Sequence, residues 1–230
     1  MARDLPLDGR SERIERILAW QASGVAPVVP RPASTVMVLR EGARGLEVFV
    51  LRRVASMAFA PSMYVFPGGG VDAVDHEAAV DDGLLRVVSG MGLTAEAGAA
   101  FVAAAVREVT EECGVVLEVG GLRPRAHWVT PEFEPRRFDT WIFAAALPEG
   151  QEAAGSTTES DHSRWTRPAA LLDRLGAGEV AMMPPTRVSL EQLAAHDTVA
   201  GFLAEPPDLR VIVPELVQTP DGPVMRFPDH

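Results

Sequence analysis

Apolar and polar positions change period several times along this chain, and the changes divide it into elements. Over residues 11–21 the apolar side chains Ile14, Ile17 and Leu18 fall at helical spacing, which predicts an N-terminal helix, and the proline-punctuated stretch 25–32 predicts a linker. Two runs of β-branched and aliphatic residues, 34–39 and 46–51, flank Gly42 and Gly45 and predict paired strands. Residues 99–112 are strong helix formers that end at Gly114, where a glycine cap stops a helix. Strand composition recurs at 115–119, 126–130 and 138–145, and helical composition at 169–175 and 186–196. The stretch 156–163 reads as a polar loop, and the alanine-rich acidic stretch 73–98, broken by Gly83, Gly90 and Gly92, as a helix plus loops. Residues 209–228, with Pro220-Asp221-Gly222 in their midst, predict an added hairpin. The patterns mix without strict βαβ alternation and without an internal repeat, so the chain reads as one layered α/β domain.

The helix at 99–112 carries two faces of different chemistry. Val102, Val106, Val109 and Cys113 recur at spacings of four, three and four, an apolar stripe that packs on a sheet. Glu108, Glu111 and Glu112 cluster on another face, near the helix C-terminus, where the dipole disfavours negative charge and like charges at these spacings repel by a few tenths of a kcal/mol. Something must compensate for that arrangement. Mg²⁺ suits hard carboxylate oxygens and keeps waters and substrate phosphates in its remaining positions, with Mn²⁺ as an alternative ion; a solvated acidic face is the competing explanation. Arg107 stands at i, i+4 from Glu111 and orients it.

Composition narrows the function classes. At 230 residues, 47% hydrophobic and 23% charged, the chain is long enough for one sizeable core. A net charge of −11 opposes the basic footprint of nucleic-acid or anionic-membrane binding, although a bound cation still admits a polyanionic small molecule to an acidic pocket. Cys113, the one cysteine, permits no internal disulfide and points to a reducing compartment, with the cytoplasm the simplest location; no apolar run reaches membrane-spanning length. Its position on the apolar stripe marks it as a buried structural thiol. Trp128, Trp141 and Trp165 fall in or beside strand-like segments, with core burial expected for at least two.

Phe66-Pro67-Gly68-Gly69-Gly70 upstream and Arg107-Glu108-Val109-Thr110-Glu111-Glu112-Cys113-Gly114-Val115 downstream together resemble the box of the Nudix hydrolases. The family pattern is glycine, five residues, glutamate, seven residues, then Arg-Glu-aliphatic-any-Glu-Glu-any-Gly-aliphatic, and its second half is matched at every specified position. Gly69 lies 38 positions before Arg107, about 24 more than the pattern has. Counting back from Arg107 puts Ala99 where the first glutamate belongs, with Asp72, Asp75 and Glu96 as candidate substitutes. An enlarged box after Arg31-Pro32-Ala33-Ser34-Thr35-Val36 resembles the branch that includes the coenzyme A diphosphatase known as nucleoside diphosphate-linked moiety X motif 19. A second coenzyme A-cleaving branch has an arginine and a glycine where this chain has Ala58 and Ser62.

The resemblance implies a Nudix-like α/β/α sandwich with a central mixed sheet over residues 31–200, an insertion near 71–98, an N-terminal helix and linker at 1–30 and a C-terminal extension at 201–230 on the same domain. It implies Mg²⁺ on Glu108 and Glu112, with Glu111 a further ligand or the base and Arg107 part of the catalytic set. Phe66, Gly68, Gly69 and Gly70 then line the substrate, and of Arg52 and Arg53, which face opposite ways on one strand, at most one clamps phosphate. Loop acids Glu132, Glu134, Glu159 and Asp161 are further candidates for a ligand or base. The implied substrate is a nucleoside diphosphate linked to another moiety, coenzyme A or an acyl-coenzyme A included. The missing glutamate at Ala99 keeps open a non-catalytic nucleotide-binding or sensing module, and a homodimer is compatible with the family.

Overall fold

The computed structural model describes residues 3–6, 11–57, 60–155, 157–220 and 222–227. The chain opens with β1 (Arg3–Pro6) and α1 (Ser11–Ser23), then builds β2 (Arg31–Gly42), β3 (Gly45–Arg53) and the short β4 (Tyr64–Val65) and β5 (Gly68–Gly70). A 3₁₀ turn (Ala73–Glu77), α2 (Asp82–Val88) and α3 (Ala95–Cys113) follow, and β6 (Arg123–Val129), β7 (Phe138–Ala146) and β8 (Ser160–Thr166) complete most of the sheet. The remainder is α4 (Pro168–Gly176), α5 (Pro184–Ala194), α6 (Val199–Ala204), β9 (Val211–Ile212), β10 (Glu215–Thr219) and β11 (Gly222–Phe227).

The main sheet runs β4-β3-β2-β7-β6-β9, with β5 beside the first half of β2 and β8 beside β3. It is mixed: β2 and β7 are parallel, as are β6 and β9, and the other pairs are antiparallel. Period-two alternation sorts each strand onto two cores. Val36, Val38, Phe49, Leu51, Trp141 and Phe143 face α2 and α3, while Met37, Leu39, Val48, Val50, Ile142 and Ala144 face α4, α5 and α6. This is the expected α/β/α sandwich. The C-terminal hairpin expected around residue 220 is β10 with β11, to which β1 adds a third strand.

Helix α3 starts four residues earlier than its composition suggests, because Thr94 caps it by accepting from Ala97 N at 3.2 Å. It ends at Gly114, which takes a left-handed conformation at φ 69° and donates to Thr110 O at 3.0 Å. Val102 and Val109 are fully buried on the sheet, Cys113 nearly so, and Val106 packs at the margin. Complete burial of one such side chain contributes roughly 1.5–3 kcal/mol, several times the repulsion between neighbouring glutamates, so packing fixes the helix whatever its acidic face does.

Two expectations need correction. Residues 115–119 form no strand: Val115 and Leu117 are buried and Val116 exposed, so the alternation is real, but Gln151 takes both backbone groups of Val116, accepting from its N at 2.8 Å and donating to its O at 3.0 Å. The stretch 156–163 is not all loop, since β8 begins at Ser160 and pairs with β3; a polar edge strand lacks the apolar alternation by which strands are read. Residue 156 lies outside the described residues.

Candidate functional site

Strand pairing places the triple glycine under the acidic helix. Gly68, Gly69 and Gly70 sit opposite Thr35, Ser34 and Ala33 of β2, and the loop before them is fixed by Thr35 Oγ1, which donates to Pro67 O at 2.8 Å, and by Val36 N, which donates to the same oxygen at 2.8 Å. Ser34 ties β2 to the helix by donating from Oγ to Phe101 O at 2.6 Å. Gly68 N then donates to Glu112 Oε2 at 2.8 Å. A Cβ added at Gly69 would lie 2.3 Å from Glu108 Oε1, so the carboxylate occupies the space that the missing side chain leaves.

Arg107 organises the opposite side of the cluster. Its Nε and Nη2 donate to the two oxygens of Asp75 at 3.1 and 2.9 Å, Nη2 also reaches Gly70 O at 2.9 Å, and Nη1 donates to Glu108 Oε1 at 2.8 Å. Glu111 stands 3.5 Å from Nη1 and is largely exposed. Asp75 is therefore the acid that faces the arginine, and it lies six positions after Gly69, the spacing of the family's glycine-x5-acid half. Counting back to Ala99 fails because the extra residues lie after this acid, and Ala99 is buried in the core against α2. Burial alone would raise the Asp75 carboxyl, but the Arg107 guanidinium and the Asp72 N–H hold it below its ordinary value. The same bonds, Asp75 foremost, raise Arg107. Breaking a buried pair of this kind costs about 3 kcal/mol at the low end of the usual range, appropriate to a partly exposed arginine. Asp75→Ala is thus expected to lower stability by that amount in urea unfolding, whereas a loss under about 1 kcal/mol would mean that the pair behaves as an exposed one.

Burial is the main influence on the two glutamates one turn apart. It raises Glu108, with Arg107 pulling the other way. It pushes Glu112 up to about 7, against the Gly68 N–H, with Glu108 and Glu159 adding to the rise and Arg53 opposing it. Glu112 is only 8% exposed, so its charge is the least solvated of the three. These influences locate two further groups: Arg53, on the α3 face of β3, and Glu159, whose carbonyl accepts from Val54 N at 2.9 Å just before β8. Glu159 sits in a stretch that composition reads as surface loop, and only the β3–β8 pairing brings it here.

The remaining candidates lie elsewhere. Arg52 points to the opposite face, where its Nε donates to Asp161 Oδ1 at 2.7 Å. The Phe66 ring is buried in the core beneath α4 and α5, so this residue meets the site through backbone rather than ring. Glu132 and Glu134 occupy the loop between β6 and β7. Cys113 is buried, and desolvation pushes its thiol up to about 12, which suits packing and not nucleophilic attack. Trp128 and Trp141 are core residues, and Trp165 stacks under Arg40 at 4.3 Å.

The donor set fits a hard divalent cation, though no preformed cage stands ready. Among the described residues no three His, Cys, Asp or Glu side chains converge as a metal-binding group. Mg²⁺ does not require one, since it binds through one or two carboxylates and retains waters. Glu108 and Glu112 present that pair, one helical turn apart beside the glycine backbone.

Comparison with known proteins bears on the family and the fold. The NUDIX domain family model matches residues 29–184. A Caenorhabditis elegans relative named nudix hydrolase 7 is 25% identical, with 71% of this chain and 60% of the relative covered; the chain thus spans less than two thirds of that relative's length. The crystal structure of a NUDIX hydrolase from Alicyclobacillus acidocaldarius superposes with a TM-score of 0.66 at 26% identity, over 78% of this chain and 98% of that one.

Proposed function

Since this chain belongs to the Nudix family, we propose that it hydrolyses a phosphoanhydride bond in a nucleoside diphosphate linked to another moiety, with Mg²⁺ held by Glu108 and Glu112. One observation carries this reading: a buried carboxylate, Glu112, and a half-buried one, Glu108, both raised by desolvation, stand one helical turn apart over a backbone stretch that has no side chains. Isolated burial of such charge is unfavourable, and a cation with a diphosphate offsets it.

When bound, the cation neutralises and orients the diphosphate oxygens and acidifies a water. The chain's own residues do the rest. Gly68 N–H orients the Glu112 carboxylate, Arg107 fixes Glu108 and thereby the spacing of the pair, and Asp75 fixes Arg107. Arg53 supplies the positive charge on this face suited to a phosphate oxygen. Glu111, exposed beside the pair, and Glu159 are the carboxylates from which a proton acceptor for the attacking water is drawn. The buried, unpaired Cys113 accords with a cytoplasmic setting, and no helix among the described residues is long and apolar enough to cross a membrane.

Coenzyme A and its acyl derivatives are among the proposed substrates on the strength of the enlarged box. Incubation with Mg²⁺ and coenzyme A, NADH, ADP-ribose or diadenosine polyphosphates, with products resolved by mass, is expected to reveal cleavage of at least one, lost when EDTA is added. A ligand bound tightly yet recovered intact would favour the binding-module reading instead.

A further inference from the structure

Away from the acidic helix, three arginines meet at one cavity. It opens between α2, the start of β6 and the segment after α6, has a volume of about 200 Å³, and is lined by Arg86, Arg123 and Arg125 over a wall that includes Val87, Leu122 and Leu209. In a chain of net charge −11 this is a local reversal of sign. The acid on its wall, Glu205, is already engaged: its Oε2 lies 2.6 Å from His196 Nε2 and 3.9 Å from Arg125 Nη2.

Arg125 is the decisive residue. A β-bulge between Pro124 and Ala126 turns it inward, its guanidinium lies 4.2 Å from the Phe202 ring, and its side chain is 6% exposed. Nη1 donates to Glu205 O at 2.6 Å, but Nε is buried with no hydrogen-bond partner among the described residues. Burial lowers the group from its ordinary value, and Glu205 only partly offsets this. Buried positive charge that is only partly offset favours an anion at the adjoining cavity. Arg123, held by its Nη1 on Gly120 O and Leu122 O, and Arg86, on the last turn of α2, are exposed at the mouth.

We propose that this cavity is a second binding site, taking a small organic oxyanion, a phosphate or carboxylate group on a body of a few carbons. The planar guanidinium fork can donate to two oxygens of either head group, and the apolar wall matches the body. The volume falls below the roughly 300 Å³ at which pockets for drug-sized ligands begin, which excludes a whole nucleotide. The site is separate from the glycine stretch: β6 lies three strands from β5, by way of β2 and β7, which is about 14 Å at roughly 4.8 Å per strand. Its α2 wall comes from the stretch that lengthens the box, and its far wall from beyond residue 184, where the match to the family model ends.

Butyl phosphate and butyrate, titrated into the full chain in EDTA by ligand-observed NMR, test the proposal, because without a cation the α3 carboxylates repel anions. Saturable binding of at least one is expected, and the stronger of the two identifies the head group. The double variant Arg86→Gln/Arg123→Gln, both at exposed positions, is expected to keep its fold and bind about tenfold or more weakly. Absence of saturable binding by both probes, or equal affinity in the double variant, would overturn the assignment.

Discussion

Glu112→Gln is expected to lower turnover by about a hundredfold or more, as the loss of several kcal/mol of transition-state stabilisation requires, and yet to stabilise the metal-free protein at pH 8. The two effects have one cause. In the fold Glu112 titrates at about 7, above an ordinary value near 4.5, so between these limits the native state binds more protons than the unfolded chain. Stability is then full below about pH 4.5 and declines as pH rises through about 7, by up to about 3 kcal/mol, because each pKa unit corresponds to about 1.4 kcal/mol. Glutamine still accepts from Gly68 N–H through its amide oxygen but never ionises. The variant should therefore match wild type at pH 4.5 and exceed it at pH 8 in EDTA by about 6–12 °C in Tm. Added Mg²⁺ should close the gap by stabilising only the wild type. Equal melting temperatures at pH 8 in EDTA would show that the buried carboxylate carries no such penalty.

Gly69→Ala and Gly68→Ala should separate activity from folding. A Cβ at Gly69 meets only the end of a side chain, Glu108 Oε1 at 2.3 Å, which a glutamate relieves by rotating. That rotation removes Glu108 from its place beside Glu112, so turnover should fall by about a hundredfold with stability within about 1 kcal/mol of wild type. A Cβ at Gly68 meets backbone, Ser34 O at 2.3 Å and Thr35 Cα at 2.6 Å, which cannot move without disturbing the β2–β5 pairing. This variant should lose about 2–3 kcal/mol or more in urea unfolding as well as activity. Equal stability of the two variants would contradict the contrast.

Much of the site was legible in the sequence, and what was not has identifiable causes. The acidic face and apolar stripe of α3 follow from helical periodicity, and the glycine run before it announces a close backbone approach, which the Gly68–Glu112 bond realises. The parity of Arg52 and Arg53 follows from strand alternation, but which of them joins Glu112 depends on which sheet face α3 covers, a tertiary fact. Asp75 was within reach by counting forward from Gly69; counting back from Arg107 crosses the inserted stretch and lands on Ala99. Glu159 could be named only as one of four loop acids and the arginine cavity not at all, because each depends on segments far apart in sequence that meet only through β3–β8 pairing or the return of the chain after α6. Residues 115–119 show the converse limit: alternation reports a two-faced extended segment and says nothing about whether a strand or the Gln151 amide will pair with it.

Turnover of the coenzyme A and dinucleotide panel in H₂¹⁸O with Mg²⁺, products weighed by mass spectrometry, reveals whether the α3 carboxylates direct water onto a phosphoanhydride. One ¹⁸O is expected in a product phosphate per cleavage, with label and product both lowered about a hundredfold or more for Glu112→Gln and absent in EDTA. Product formed equally well by Glu112→Gln, or label appearing only outside the phosphates, would contradict it.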